Sequence, residues 1–154
     1  MTELIETKAY GSVPVEKRQL ITFPGGLYGF ESYHEFALLD SHTPPFYWLQ
    51  SLDDRDVAFI MINPYVAVSD YVLDIAEDDL KTIGSPPPEA LLVFAIVTIP
   101  EDHRDISCNL QGPVIVHREK RLGRQSISLD QRWKIKHYLL QREGRDAQEG
   151  QSPC

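Results

Sequence analysis

The sequence predicts a mainly β fold, a small single-domain antiparallel β-barrel-like structure with one or two short helices. Three observations carry that prediction. Apolar, β-branched and aromatic residues come in short runs, as strands require. Proline, glycine and aspartate punctuate these runs at short intervals. A chain of 154 residues suits one domain, which at this size buries roughly two-thirds of its unfolded surface.

Val13 to Phe23 reads as an extended run. The segment Phe23-Pro24-Gly25-Gly26-Leu27-Tyr28-Gly29-Phe30-Glu31 follows. Its proline and glycines predict a constrained turn with at least one positive φ, anchored by large apolar side chains. Phe36 to Leu39 is a further strand, broken at Ser41-His42-Thr43-Pro44-Pro45. Phe46 to Leu52 and Val57 to Ile62 form a hairpin across Asp53-Asp54-Arg55-Asp56, and Asn63-Pro64 closes it. Alternation over Tyr71 to Ala76 predicts a strand. Glu77 to Gly84 has acids first, a lysine late and a terminal glycine, the order of a short helix. Pro86-Pro87-Pro88 is a stiff connector.

Leu91 to Ile99 is a continuous apolar run, as in a central strand covered on both faces. Asp105 to Gln111 alternates, with Ile106, Cys108 and Leu110 inward. Pro113 to His117 and Gln125 to Leu129 make a second hairpin across the basic turn Arg118 to Gly123, with Ile127 and Leu129 inward. Arg132 to Leu140 fits either period two or a helical face, and a strand is favoured. Residues 1–140 are read as the domain, and residues 141–154 as a disordered polar tail.

No apolar run reaches the roughly 20 residues that span a bilayer, and Met1 to Glu6 lacks the features of a signal peptide. The two cysteines, Cys108 and Cys154, read as a buried apolar side chain and a tail residue, with no structural disulfide between them. The chain therefore reads as cytoplasmic. Its net charge of −8 is unevenly spread. Residues 31–105 carry fifteen acids against three bases, whereas residues 106–154 carry five acids against nine bases. An acidic face follows, one that repels nucleic acid.

Catalytic and ligand patterns are sparse. Gly25, Gly26 and Gly29 are followed by no lysine, so they do not form a phosphate loop. His34, His42, His103, His117 and His137 show no zinc spacing. Asp53, Asp54 and Asp56 lack the spacing of an EF-hand. No catalytic residue, cofactor or metal is assigned. Arg118, Lys120, Arg121 and Arg124 form a basic turn with no interleaved aromatic, which reads as a solvated hairpin end. One alternative function stays open: a β-barrel enzyme or small-molecule carrier whose pocket is lined by Tyr28, Phe46, Trp48 and Phe59.

The glycine turn, Pro45-Phe46-Tyr47-Trp48-Leu49-Gln50-Ser51-Leu52-Asp53-Asp54, Phe59 and Asn63-Pro64 together resemble the N-terminal half of the FliW family of flagellar assembly factors. Asn109-Leu110-Gln111-Gly112-Pro113 and Arg121-Leu122-Gly123-Arg124-Gln125 are similar to its later motifs. Lys136-His137-Tyr138-Leu139 stands where the family commonly shows Arg-His-Pro and an aliphatic residue. The resemblance covers about residues 10 to 140. It implies a non-catalytic cytoplasmic protein, monomeric when alone, with two alternative partners: flagellin and the RNA-binding translational repressor CsrA. It further implies that the free protein antagonises CsrA and so relieves repression of flagellin synthesis, without touching nucleic acid or membrane itself. A basic repressor would dock on acidic residues. Asp53, Asp54 and Asp56 are the first candidates, with Asp74, Glu77 and Asp78 behind them.

Overall fold

The computed structural model describes residues 2–140; the tail expected over 141–154 lies outside the described residues. The chain opens with a hairpin, β1 (Thr2–Thr7) against β2 (Gly11–Glu16). The sequence reading does not anticipate β1, because its single inward aliphatic side chain is Ile5 while Leu4 points to solvent. A single 3-10 turn (Lys17–Gln19) then splits the extended run expected from Val13, and β3 (Leu20–Thr22) follows.

The next strands are β4 (Glu35–Asp40), β5 (Phe46–Ser51) and β6 (Ala58–Ile62). Asn63 does more than close the hairpin. Its side chain accepts a hydrogen bond from the Tyr65 amide, and Pro64 supplies a ready-set φ, so a four-residue helix α1 (Pro64–Ala67) starts there. Helix α2 (Glu77–Lys81) lies where predicted, and the turn that ends it holds Gly84 at φ +92°. A short 3-10 turn after the prolines leads into β7 (Leu91–Thr98). The remaining strands are short: β8 (Ser107–Cys108), β9 (Val114–His117), β10 (Gly123–Gln125) and β11 (His137–Tyr138).

β3 to β11 form one sheet in the order β10-β9-β7-β6-β5-β4-β3, with β8 branching from β7 and carrying β11. Every ladder is antiparallel. The two ends of the sheet, β3 and β10, meet at one parallel bridge, Thr22 to Leu122, with the Thr22 amide 3.0 Å from the Arg121 carbonyl. One bridge is not a ladder, so the sheet stays open and the barrel-like expectation is corrected to an open sheet plus the β1–β2 hairpin.

Both faces of this sheet are covered. Phe23, Leu27, Phe36, Leu49, Met61 and Phe94 belong to the main core. On the other side, Ile62, Ala95, Val97, Cys108, Leu110 and Trp133 form a second core. The β1–β2 hairpin builds a third from Ile5, Val15, Ala37 and Leu39. Adjacent residues on β6 and β7 thus enter different cores, the physical reason for the uninterrupted apolar run over Leu91 to Val97, after which Thr98 is exposed.

Four expected strands are corrected. Tyr71 to Ala76 is irregular, held by single bonds instead of a ladder: Trp133 donates its indole N–H to the Val72 carbonyl and Leu129 its amide to Asp74. Asp105 to Gln111 narrows to β8, where Cys108 and Leu110 are buried and Ile106 half-buried. Beyond β10 the faces are the reverse of those expected. Ser126 and Ser128 are buried, their amides bonded to the Pro113 and Gln111 carbonyls, while Ile127 and Leu129 are 49% and 60% exposed. A one-residue change of parity moves every side chain to the other face. Arg132 to Leu140 is neither a helix nor a full strand, pairing only over β11.

Candidate functional site

The six acidic candidates fall into two groups. Asp53, Asp54 and Asp56 sit at the tip of the β5–β6 hairpin. Asp74, Glu77 and Asp78 lie beyond the opposite end of β6, past α1. Five strand residues at about 3.3 Å each separate the two places. The fold therefore does not bring all six together.

The tip is firmly built. The Ser51 hydroxyl accepts the amides of Asp53 (3.0 Å) and Asp54 (3.1 Å), and one Asp54 carboxylate oxygen accepts the Asp56 amide at 2.9 Å. The buried Gln50 amide donates to the carbonyls of Ser51 and Arg55, both at 3.0 Å, while its oxygen accepts the Lys8 amide at 2.9 Å. One side chain thus ties the N-terminal hairpin to the tip. As a result Glu3 and Glu6 share a recess with Ser51, Leu52 and Arg55. Glu35 joins the same end, its carbonyl accepting the Leu52 amide. Sequence reasoning missed Glu3 and Glu6 because charge was summed along the chain, where residues 1–30 carry as many bases as acids, and it missed Glu35 because only the pairing of β4 with β5 brings that residue to the tip.

Charge of the other sign collects at the far end of β4 and β5. Arg18 and Arg121 flank a recess also lined by Gln19, Leu38, Asp40 and Tyr47. Burial, with Arg18 and Arg118 close by, pulls the Arg121 guanidinium below its ordinary pKa. Arg121 also adopts a left-handed φ of +54°. Arg18 is held by Glu16 at 2.5 Å, whereas among the described residues neither Arg118 nor Arg121 has a carboxylate within 4.0 Å. Arg124 is set apart from this group, 3.5 Å from Asp79 and 3.3 Å from the Thr82 hydroxyl. Tyr47 walls a second, larger groove of about 790 Å³ between α1, the segment 71–73, the proline connector and β7.

The motif residues meet in a structural hub. The buried Gln125 side chain accepts the Tyr28 amide at 3.1 Å and donates to the Gly112 carbonyl at 3.0 Å. Asn109 accepts the amides of Gln111 (3.0 Å) and Gly112 (2.8 Å). The glycine turn is thereby stitched to β10 and to the turn before β9. Gly123 lies against Phe23 so closely that a Cβ there would fall 2.7 Å from the ring.

The four aromatics of the alternative pocket do not converge. Phe59 packs on the main core, Phe46 on the second and Trp48 on the third, while Tyr28 is exposed. Among the described residues no cluster of His, Cys, Asp and Glu has the arrangement of a metal site. Burial raises the Cys108 thiol to about 12, so it is a poor nucleophile at neutral pH. No helix among the described residues is long and apolar enough to cross a membrane.

Known proteins share the sequence pattern and the fold of this chain. The family model described as FliW protein matches residues 3–139. The flagellar assembly factor FliW of Treponema denticola is 46% identical over 136 residues, spanning 88% of this chain and 92% of that protein. That of Treponema pallidum is 45% identical over 136 residues, at 88% and 91%. That of Leptospira biflexa is 37% identical over 143 residues, at 92% and 94%. A crystal structure of the flagellar assembly factor FliW superimposes with a TM-score of 0.84 at 28% identity, covering 92% of this chain and 99% of the other.

Proposed function

The chain belongs to the FliW family of flagellar assembly factors, and from that premise we propose that it is a cytoplasmic, non-catalytic regulator that binds flagellin and, when free, the translational repressor CsrA. Free protein withdraws CsrA from flagellin synthesis. Flagellin occupies the protein and so returns CsrA to its RNA. Export of flagellin releases the protein again. The cycle needs two protein-binding states and no chemistry. The protein acts as a monomer, with residues 1–140 as the binding domain and residues 141–154 as a tail.

One observation carries the CsrA half of this reading. The hairpin tip holds Asp53, Asp54 and Asp56 in an ordered turn, with Glu3, Glu6 and Glu35 at the same end. An RNA-binding repressor presents cations to phosphate, and the same cations are attracted to preorganised carboxylates. Asp74, Glu77 and Asp78 form a separate, exposed acidic rim that extends the field.

The triple variant Asp53→Asn, Asp54→Asn, Asp56→Asn tests the tip. Asparagine keeps a carbonyl oxygen for the hydrogen bonds inside the turn, so the fold is retained and only charge is lost. Association with CsrA slows at low salt and converges on the parent rate as salt rises, because steering is screened over about 10 Å at 0.1 M. An association rate unchanged at low salt removes the tip from the mechanism. Loss of both CsrA and flagellin binding by the parent protein overturns the function itself.

A further inference from the structure

We infer that the outward face of the segment after β10, Ile127 and Leu129 with Asp74 and Glu77 at its margin, docks an extended basic segment of a protein partner that is apolar at alternate positions. The inference rests on reading the chain as a protein-binding factor, and it adds a second surface to the acidic tip.

The segment is turned inside out. Ser126 and Ser128 are buried, at 0% and 8% exposure, while Ile127 and Leu129 stand open to water. The Ser128 hydroxyl is bonded to the Asp130 backbone, but the buried Ser126 hydroxyl has no partner among the described residues. A shift of parity by one residue would bury both aliphatic side chains and return both serines to water. The fold instead leaves a hydroxyl unsatisfied and two large apolar side chains exposed, which marks an interaction face.

Backbone bonds preset that face. Ser126 and Ser128 donate their amides to the Pro113 and Gln111 carbonyls at 2.9 and 2.7 Å, and on the opposite flank Leu129 donates to Asp74 at 2.7 Å. Between them the Ile127 amide donates to no group among the described residues. Two residues before Asp74, Val72 is exposed as well.

Most cations around the face are already engaged. Across residues 70–81 and 124–134, Lys81 is 3.5 Å from Asp78, Arg124 3.5 Å from Asp79 and Arg132 2.8 Å from Asp130. Arg132 also lies 4.6 Å over the Trp133 ring, and Asp70 adds its attraction to the same guanidinium. Lys134 alone in these stretches has no carboxylate within 4.0 Å, and its carbonyl, which accepts the Leu110 and Gln111 amides, lies on the Gln111 flank, away from Asp74. Among the described residues neither Asp74 nor Glu77 has a cation within 4.0 Å. The margin on the Asp74 flank is therefore acidic and unpaired.

That combination selects the occupant. Aliphatic side chains cover Ile127 and Leu129, and flanking lysines or arginines meet the two free carboxylates. An extended backbone repeats its alternate side chains at the spacing of Ile127 and Leu129, and one of its carbonyls accepts the free Ile127 amide. A second copy would bring the same acids to the interface, with a net charge of −8 on each chain. A nucleic acid is repelled by those acids and leaves the aliphatic pair uncovered.

The probe is a fluorescently labelled peptide of alternating valine and threonine with two lysines at each end. One control peptide carries glutamates for the lysines, and another carries serines for the valines. Binding is read by anisotropy against the full chain. The first peptide saturates the parent protein, and each control binds about tenfold more weakly. The double variant Ile127→Thr, Leu129→Gln weakens the first peptide about tenfold. Asp74→Asn with Glu77→Gln weakens it about threefold and lowers its preference for lysine over glutamate. The Asp53, Asp54, Asp56 triple variant keeps the affinity of the parent. Threonine retains the β-branch and glutamine the stem, so the double variant keeps the circular dichroism and single unfolding transition of the parent. A double variant that no longer folds marks the pair as core and overturns the proposal. So does the absence of saturable binding to the parent, equal binding by the double variant, or an undiminished lysine preference without Asp74 and Glu77. Tighter binding of a single-stranded oligonucleotide at this face, a parent dimer that the double variant dissociates, or peptide binding that appears only after removal of residues 141–154 also overturns it. The peptide readout needs neither CsrA nor flagellin, so its failure is separate from a failure of the proposed function, which those two proteins report.

Discussion

Replacing Gly25, Gly26 and Gly29 singly by alanine separates backbone strain from steric overlap inside one turn. Gly26 lies at φ +67° and Gly29 at φ +85°, whereas Gly25 is outside the left-handed region. A Cβ on Gly25 or Gly29 meets nothing within 4 Å, but one on Gly26 falls 2.6 Å from the Glu31 Cα and 2.7 Å from the Phe30 carbonyl oxygen. Both are backbone atoms, so a rotamer change cannot relieve the contact. At Gly25 alanine lowers the entropy of the unfolded chain and is neutral or stabilising by up to about 1 kcal/mol. At Gly29 the left-handed penalty alone applies, about 1–2 kcal/mol. At Gly26 overpacking of about 1–3 kcal/mol is added to that penalty, for a total of about 2–5 kcal/mol. Urea unfolding at constant m measures the series, and each kcal/mol moves the melting temperature by roughly 2–4 °C for a chain of this size. The required order is Gly25, then Gly29, then Gly26, with Gly26 the most damaging. Equal losses at all three, or a larger loss at Gly25 than at Gly26, would refute the reasoning.

Other consequences follow from the hub and the cores. Gln125→Leu leaves the Tyr28 amide and the Gly112 carbonyl without their partner and costs about 2 kcal/mol in chemical denaturation; Gln125→Glu keeps the acceptor but buries a carboxylate whose second oxygen faces the Gly112 carbonyl, and costs at least as much. Cys108, read alone in a Cys154→Ser background, reacts with a thiol reagent only as fast as the protein opens, because the folded thiol is shifted upward to about 12 by burial. That raised pKa also fixes a sign: the stability it contributes is complete below the unfolded thiol pKa near 9 and is lost as pH climbs from there toward 12. Burial raises the Tyr71 phenol as well, adding to the same alkaline loss, so unfolding midpoints measured from pH 8 upward should decline.

Much of the local structure was legible in the order of residues. The β5–β6 hairpin and the apolar run of β7 announce themselves because side-chain alternation and burial on two faces write directly into composition. Helix α2 and the glycine turn were equally readable, since dipole-ordered charges and positive-φ glycines are local requirements. The same holds for the family, whose motifs are contiguous words in the chain. Parity after β10 was not legible. Whether Ser128 or Leu129 faces inward depends on which carbonyl the Ser128 amide finds, and that partner, Gln111, lies on another segment.

The candidate site divides along the same line. The sequence by itself determined an acidic hairpin tip, a basic turn and a chain rich in short strands, because each is set by neighbours within a few residues. Only the tertiary structure decided what those pieces face. It put Glu3, Glu6 and Glu35 beside the tip and Arg18 beside Arg121, and it parted Asp74, Glu77 and Asp78 from Asp53 by the length of β6. It also opened a groove between α1 and β7 from residues that read singly as core. Coulomb forces and apolar burial act through space, so a surface assembled from distant segments has no signature in the linear order of its residues.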